Sequence, residues 1–172
     1  MFYVKNLKWT RKFVQNNIKI IEENHKLFPH RNRWNCDCHV IHDDDFDVTQ
    51  INFSFLRNEY EKVVNELINE LNKIQNTELS HISDIWYNYY KRGQYQEPHI
   101  HGTADIYAYT AVHYLIYDKK YHSKTEFTDK NIICPQVTQG DILFFPSNLE
   151  HYVLENTSNV PRLTVAFTVV FK

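Results

Sequence analysis

Glycine is nearly missing from this chain. It occurs three times in 172 residues, where average usage of about 7% would give roughly a dozen. Cysteine also occurs three times, an odd and low number that argues against a disulfide framework and fits a reducing compartment, so the cytoplasm is the expected location. No apolar run approaches the roughly 20 residues needed to cross a bilayer. The start, MFYVKNLKWTRKF, has neither the apolar centre nor the small-residue cleavage site of a signal peptide. Charge of one sign is lacking as well: 19 Lys and Arg stand against 21 Asp and Glu, a formal net charge of -2. That balance leaves no electrostatic footprint for nucleic acid, and it points to a small-molecule or peptide substrate.

What remains is an ordinary globular composition, 42% hydrophobic and 23% charged, in a chain long enough to bury a core without staples. A single domain spanning residues 1–172 is expected, with no internal repeat. Its first part reads as helical. From Trp9 to Phe28, after Thr10 as N-cap, Phe13, Val14, Ile18, Ile21 and His25 share a broad face that Pro29 ends. From Ser54 to Gln75 the stripe is clearer: Leu56, Tyr60, Val63, Val64, Leu67, Ile68, Leu71 and Ile74 recur at three and four residues, while Glu61, Lys62, Glu66 and Lys73 face water. Such a helix is compatible with self-association, for which the sequence offers no specific pattern. Between the two helices, Cys36, Cys38, His39 and His42 lack the usual zinc-ligand spacing and read as a short strand with buried cysteines. The acidic run Asp43 to Asp47 reads as a solvated turn.

After a polar turn at Asn76 and Thr77 the pattern changes. Ile82 to Lys91, Ile106 to Tyr117, Asp141 to Phe145 and Leu163 to Phe171 are rich in aromatic and β-branched residues, with shorter candidates at Thr125 to Thr128 and Tyr152 to Leu154. None is followed by a helix-length crossover, which excludes a parallel α/β sheet. The expected fold is α+β with a mainly β core: a jelly roll over residues 81–172, supported by a helical segment over residues 1–80.

The stretch WYNYYKRGQYQEPHIH ends in His99 and His101. Residues two apart on a strand share a face, so both imidazoles can reach one ion. Downstream, His151 offers a third imidazole, and a jelly roll can bring distant strands together at one mouth of its barrel. Three ligands on one face, with open positions left, suit a catalytic non-haem iron, although imidazole also suits zinc, copper or nickel. All three glycines, Gly93, Gly102 and Gly140, lie beside these segments. Arg162 heads the strand RLTVAFT with Thr164 on its own face, a placement suited to holding a carboxylate by a bidentate pair plus a hydroxyl hydrogen bond. The competing reading of Arg162 is a strand-edge arginine in a surface salt bridge.

Several motifs occur here in order: W-x-N from Trp86, G-x5-H-x-H from Gly93, A-V-H-Y-L from Ala111, G-D-I-L-F-F-P-S-x-x-x-H from Gly140 and R-x-T from Arg162. Through them the chain resembles the 2-oxoglutarate/Fe(II)-dependent oxygenases, in particular a group of small members that includes phage-encoded proteins, over Asp84 to Phe171. The resemblance implies a double-stranded β-helix using Fe(II), 2-oxoglutarate and O2, with His99 and His151 on the metal. His101 stands where most relatives have Asp or Glu. Three ligand sets are open: three histidines, His99 and His151 with Asp105 as the carboxylate, or two histidines completed by water. The direct convergence of His99 and His101 favours the first. The resemblance also implies that Arg162, assisted by Thr164, grips the distal carboxylate of 2-oxoglutarate, that Tyr114 contacts the same co-substrate and that Asn88 is a pocket candidate.

The same segments resemble the cupin pattern, which has the same jelly roll. A cupin metalloenzyme without 2-oxoglutarate and a non-catalytic jelly-roll binding module are therefore the alternatives, and Arg162 with Thr164 favours the oxygenase. His113 alternates with Tyr114 and points to the opposite face. His25, His30, His81 and His122 show no partner pattern and read as solvated or locally hydrogen-bonded.

Overall fold

A computed structural model describes residues 2–7, 11–27, 39–42, 53–102 and 108–171. Thr10, Pro29, Cys36, Cys38, the acidic run 43–47 and Asp105 lie outside the described residues, as do the side chains of His25, His39, His42 and Leu56. The elements follow in the order β1 (Tyr3–Asn6), α1 (Arg11–Leu27), β2 (His39–His42), α2 (Phe53–Gln75), β3 (Leu79–Tyr90), β4 (Gln96–His99), β5 (Ala108–Ile116), β6 (Thr125–Phe127), β7 (Asp141–Pro146), β8 (His151–Val153) and β9 (Arg162–Phe171). A six-stranded sheet in the order β1-β7-β5-β9-β3-β2 and a three-stranded sheet in the order β4-β8-β6 carry all of these strands. Every pairing is antiparallel. This is the jelly roll with helices before it that the strand pattern implies. The N-terminal segment is more than helical support, however, because β1 and β2 form the two edges of the large sheet.

Alternation on the large sheet builds two cores. On β9, Leu163, Val165, Phe167 and Val169 are fully buried against the helices, meeting Tyr60, Val64, Leu67, Ile68 and Leu71 of α2. Each such side chain contributes about 1.5–3 kcal/mol by leaving water. Residues of the other face, among them Trp86, Tyr90, Val112, Leu143, Phe145 and Ala166, pack inside the roll with Phe127 and Val153 of the small sheet. Ile74 departs from the helical stripe: at the last turn of α2 it is 55% exposed. No helix among the described residues is long and apolar enough to cross a membrane.

Polar contacts set how α2 meets β3. Asn76 adopts φ 51°, the left-handed conformation that ends helices. The Asn72 side chain then accepts from the Leu79 N–H and donates to the Leu79 carbonyl. Further along, β3 is bulged between Ile82 and Asp84, and Arg57 donates to the Ile82 and Ser83 carbonyls that the irregularity exposes. Strand β3 therefore starts from a fixed point, which sets the register that carries Trp86, Asn88 and Tyr90 into the roll.

Candidate metal and carboxylate site

The floor of the site is a ladder of cross-strand pairs between β3 and β9. Trp86 pairs with Ala166, Asn88 with Thr164 and Tyr90 with Arg162, all six lining one pocket inside the roll. Successive rungs on one face lie roughly 6.6 Å apart, so the arginine rung is about 13 Å of backbone from the tryptophan rung. The small sheet faces this ladder with rungs of its own, Gln96 opposite Val153 and His99 opposite His151. Gln96 and His99 are three positions apart and would point to opposite faces of a regular strand. A bulge sets the two residues between them, Glu97 and Pro98, against the single residue Tyr152 and returns both side chains to the pocket.

His101 reaches the site by a different route from the one that strand alternation predicts. Strand β4 ends at His99, and His101 lies in a bend closed by Gly102 at φ 96°, a conformation that favours glycine. The bend is fixed by the His101 N–H donating to the Ser147 carbonyl, 2.9 Å, while the imidazole packs against the Trp86 indole with 4.8 Å between centroids. The three imidazoles converge, with ring centroids 4.8, 4.3 and 5.0 Å apart for the pairs 99–101, 99–151 and 101–151. One nitrogen from each lies within 4.8 Å of the others.

Two of these rings have an assigned tautomer. Nδ1 of His99 is 2.7 Å from the Glu97 carbonyl and Nδ1 of His151 is 2.9 Å from the Leu149 carbonyl. A carbonyl only accepts, so each Nδ1 carries the proton and each Nε2 presents a lone pair. Burial lowers the pKa of His99, and burial together with neighbouring His99 brings His151 down to about 3. Neutral, pre-oriented imidazoles are what a transition-metal ion needs.

At the opposite end, Arg162 is 1% exposed. Its Nε donates to the Ser123 carbonyl at 3.0 Å, and its guanidinium carbon lies 4.7 Å from the Tyr90 ring centroid and 5.4 Å from that of Tyr114. Both terminal nitrogens are buried without a hydrogen-bond partner among the described residues. A surface salt bridge, the competing reading, does not describe a guanidinium this deeply buried. Unsatisfied buried donors of a charged group each cost about 1–3 kcal/mol or more, so such a group requires an anion. Nearby, Asn88 Nδ2 is 3.4 Å from Thr164 Oγ1, while Asn88 Oδ1 is buried without a partner among the described residues.

His99, His101, His151, Asn88, Thr164 and Arg162 thus line one pocket. Tyr114 is close but does not line it. Its ring backs the guanidinium and its hydroxyl donates at 2.9 Å to Thr125 Oγ1, which is part of the pocket wall. Trp86, Tyr90 and Gln96 also line the pocket, and Tyr90 donates its hydroxyl to Gln96 Oε1 at 2.8 Å. Trp86 and Tyr90 were accessible from sequence, since they flank Asn88 at two-residue spacing. Gln96 was not, because its direction depends on the bulge.

Comparison with known proteins agrees with the resemblance. Residues 112–168 match the family model described as "Putative 2OG-Fe(II) oxygenase". None of the curated proteins matches the chain by sequence. Among solved structures, the chain is similar to a Pseudomonas putida prolyl-4-hydroxylase, with 15% identity over 99% of this chain and 92% of that one and a TM-score of 0.68. It is also similar to the viral collagen prolyl hydroxylase of Paramecium bursaria Chlorella virus-1 in its 2-oxoglutarate complex, with 16% identity, 99% and 96% coverage and a TM-score of 0.65. A third is HygX from Streptomyces hygroscopicus with nickel and 2-oxoglutarate bound, with 13% identity, 99% and 82% coverage and a TM-score of 0.66. The fold is therefore the double-stranded β-helix seen in 2-oxoglutarate oxygenases, and the matched residues 112–168 include the strands that hold His151, Arg162 and Thr164.

Proposed function

We propose that this chain is an Fe(II)- and 2-oxoglutarate-dependent dioxygenase that hydroxylates a small-molecule or peptide substrate and releases succinate and CO2. The observation that carries this reading is Arg162, a buried cation whose two terminal nitrogens have no partner among the described residues and which lines the same pocket as three convergent imidazoles. The donor set fits a resident metal: two tautomers present Nε2 lone pairs, and three imidazole ligands on one face leave positions open for a co-substrate and dioxygen. Bound there, Fe(II) would supply the redox chemistry that couples decarboxylation of 2-oxoglutarate to transfer of one oxygen atom to succinate and one to the substrate.

His99, His101 and His151 are the assigned metal ligands. Arg162 holds the distal carboxylate through both terminal nitrogens, with Thr164 and Asn88 adding polar contacts from the adjoining rung. Tyr114 supports the clamp from behind, its ring against the guanidinium. Trp86 packs against the His101 ring from inside the roll, and Phe145 packs on His151 with 4.7 Å between centroids, so both hold the ligand rings in place. The working unit is a single domain over residues 1–172. A cytoplasmic setting is supported by the low, odd cysteine count and by Cys134 being buried and free.

Calorimetry on protein loaded with Fe(II) or Mn(II) should show 2-oxoglutarate binding, and incubation with Fe(II), ascorbate and 2-oxoglutarate should release succinate slowly without added substrate. Absence of 2-oxoglutarate binding, with activity independent of that acid, would overturn the reading in favour of a cupin-type metalloenzyme.

A further inference from the structure

His122 shows no partner pattern in the sequence, yet it is buried, 5% exposed, and bonded at both ring nitrogens. Its Nδ1 accepts from the Asp118 N–H at 2.9 Å, and its Nε2 is 3.1 Å from the Val160 carbonyl. An amide N–H only donates and a carbonyl only accepts, so the ring is the neutral Nε2–H tautomer and no other protonation state satisfies both partners. The loop it closes is a tight one, in which the Asp118 carbonyl accepts from the N–H groups of both Tyr121 and His122. The Tyr117 ring packs on the imidazole at 6.1 Å and on Tyr114, whose other neighbour is the guanidinium.

Both bonds lead to Arg162. Ser123, the residue after His122, gives its carbonyl to Arg162 Nε. Val160 lies two residues before Arg162, and its carbonyl also accepts from Asn156 Nδ2, which reaches the Tyr90 carbonyl on the partner strand as well. The backbone approach to β9 and the inner nitrogen of the guanidinium are thus both held by groups that His122 ties together, while the terminal nitrogens keep no protein partner among the described residues.

We propose that His122 is a positioning residue for the carboxylate clamp. By joining the 118–123 loop to the segment entering β9, it fixes the Ser123 carbonyl that engages Arg162 Nε, so the terminal nitrogens point into the pocket before any anion arrives. Only the identity of that anion rests on the function proposed above.

The test reads Arg162 directly and then through its ligand. In 15N-arginine-labelled protein the Arg162 Nε–H signal, identified by its disappearance in Arg162→Lys, should be protected from exchange. His122→Ala should speed its exchange by about tenfold and weaken 2-oxoglutarate binding to Mn(II)-loaded protein by a similar factor, as expected for one misaligned hydrogen bond. Affinity for Mn(II) should stay within about twofold, because the bonds of His122 go to Asp118 and Val160 and not to the histidine cluster. His122→Asn, whose Oδ1 can still accept from the Asp118 N–H, should recover part of both losses, and it carries the test alone if the alanine variant does not fold. Wild-type exchange and 2-oxoglutarate affinity in these variants would overturn the proposal, as would an equal loss of Mn(II) and 2-oxoglutarate affinity. If the wild-type protein binds no 2-oxoglutarate, the functional reading fails while the exchange measurement still decides the role of His122.

Discussion

The two faces of β9 are made from alternate residues of one strand and obey opposite rules. Leu163, Val165, Phe167 and Val169 disappear completely into the helical side. Arg162 and Thr164, buried just as deeply, face a pocket where the terminal guanidinium nitrogens and an amide oxygen lack partners among the described residues. The first face lowers the free energy of the fold. The second raises it, and the sheet tolerates the cost because the apolar face on the same backbone offsets it. Burial alone therefore does not separate structure from function; here the mark of the site is a buried charge whose terminal nitrogens have no partner among the described residues.

The comparison is tested most severely by substituting one residue on each face. Phe167 packs edge-on against Tyr60 and Phe144 at 5.8 and 6.0 Å. Phe167→Ala should destabilise the protein by about 3–5 kcal/mol in chemical denaturation, while the folded fraction still binds 2-oxoglutarate. Arg162→Met, similar in length but apolar, should do the reverse. It should weaken 2-oxoglutarate binding by about 2–5 kcal/mol, as truncation of one partner in a buried charge pair does, with metal content and stability retained. A denaturation midpoint for Arg162→Met as low as that of Phe167→Ala would mean that the polar face is structural after all.

Much of this division was legible from the chain. Alternation in RLTVAFTVVF and in AVHYL assigns each residue a face, and the helical stripe of α2 identifies which face is covered. Three glycines in the whole chain, each with positive φ, mark the turns around the site. What local pattern could not supply is direction where a strand is interrupted. His101 enters from a bend beyond β4 and Gln96 through a bulge, so two-residue spacing gave the right neighbour for His99 by a mechanism that does not operate there. The pairing of β1 with β7, which joins Tyr3–Asn6 to residues 141–144, depends on chain topology and left no trace in YVKN. His122 and Asn156 were invisible for the same reason: their partners are set by loops meeting in space.

His113 offers a subtler contrast, a buried ionisable group on the helical face. Its Nδ1 is 2.7 Å from the Tyr60 hydroxyl, and burial lowers its pKa from 6.5 to about 3. The unfolded chain takes up a proton as pH falls through its ordinary value, while the folded imidazole stays neutral down to about 3. Between those limits the unfolded state binds more protons, so stability must fall as pH falls, with a slope approaching about 1.4 kcal/mol per pH unit from this residue. His113→Gln, measured beside wild type without metal across that window, should lose this part of the slope and keep 2-oxoglutarate affinity unchanged. An unaltered slope would show that the folded protein protonates His113 readily and that the helical side is less tightly closed than its packing implies.

The smallest expected effect probes the polar face at its quietest member. Thr164 is fully buried, pairs in register with Asn88 on one side and Tyr114 on the other, and has its hydroxyl 3.4 Å from Asn88 Nδ2. Valine has nearly the same shape, so Thr164→Val removes the hydroxyl while leaving the strand and its packing in place. Stability should change little, because a 3.4 Å contact is near the limit of a useful hydrogen bond. Affinity for 2-oxoglutarate should fall about fivefold, the loss of roughly 1 kcal/mol expected for one hydrogen bond to the carboxylate. Thr164→Ser, which keeps the hydroxyl and drops a methyl group, should bind 2-oxoglutarate more tightly than the valine variant while being less stable than it. If serine and valine bind equally, the hydroxyl does not touch the co-substrate, and on this rung only Asn88 does.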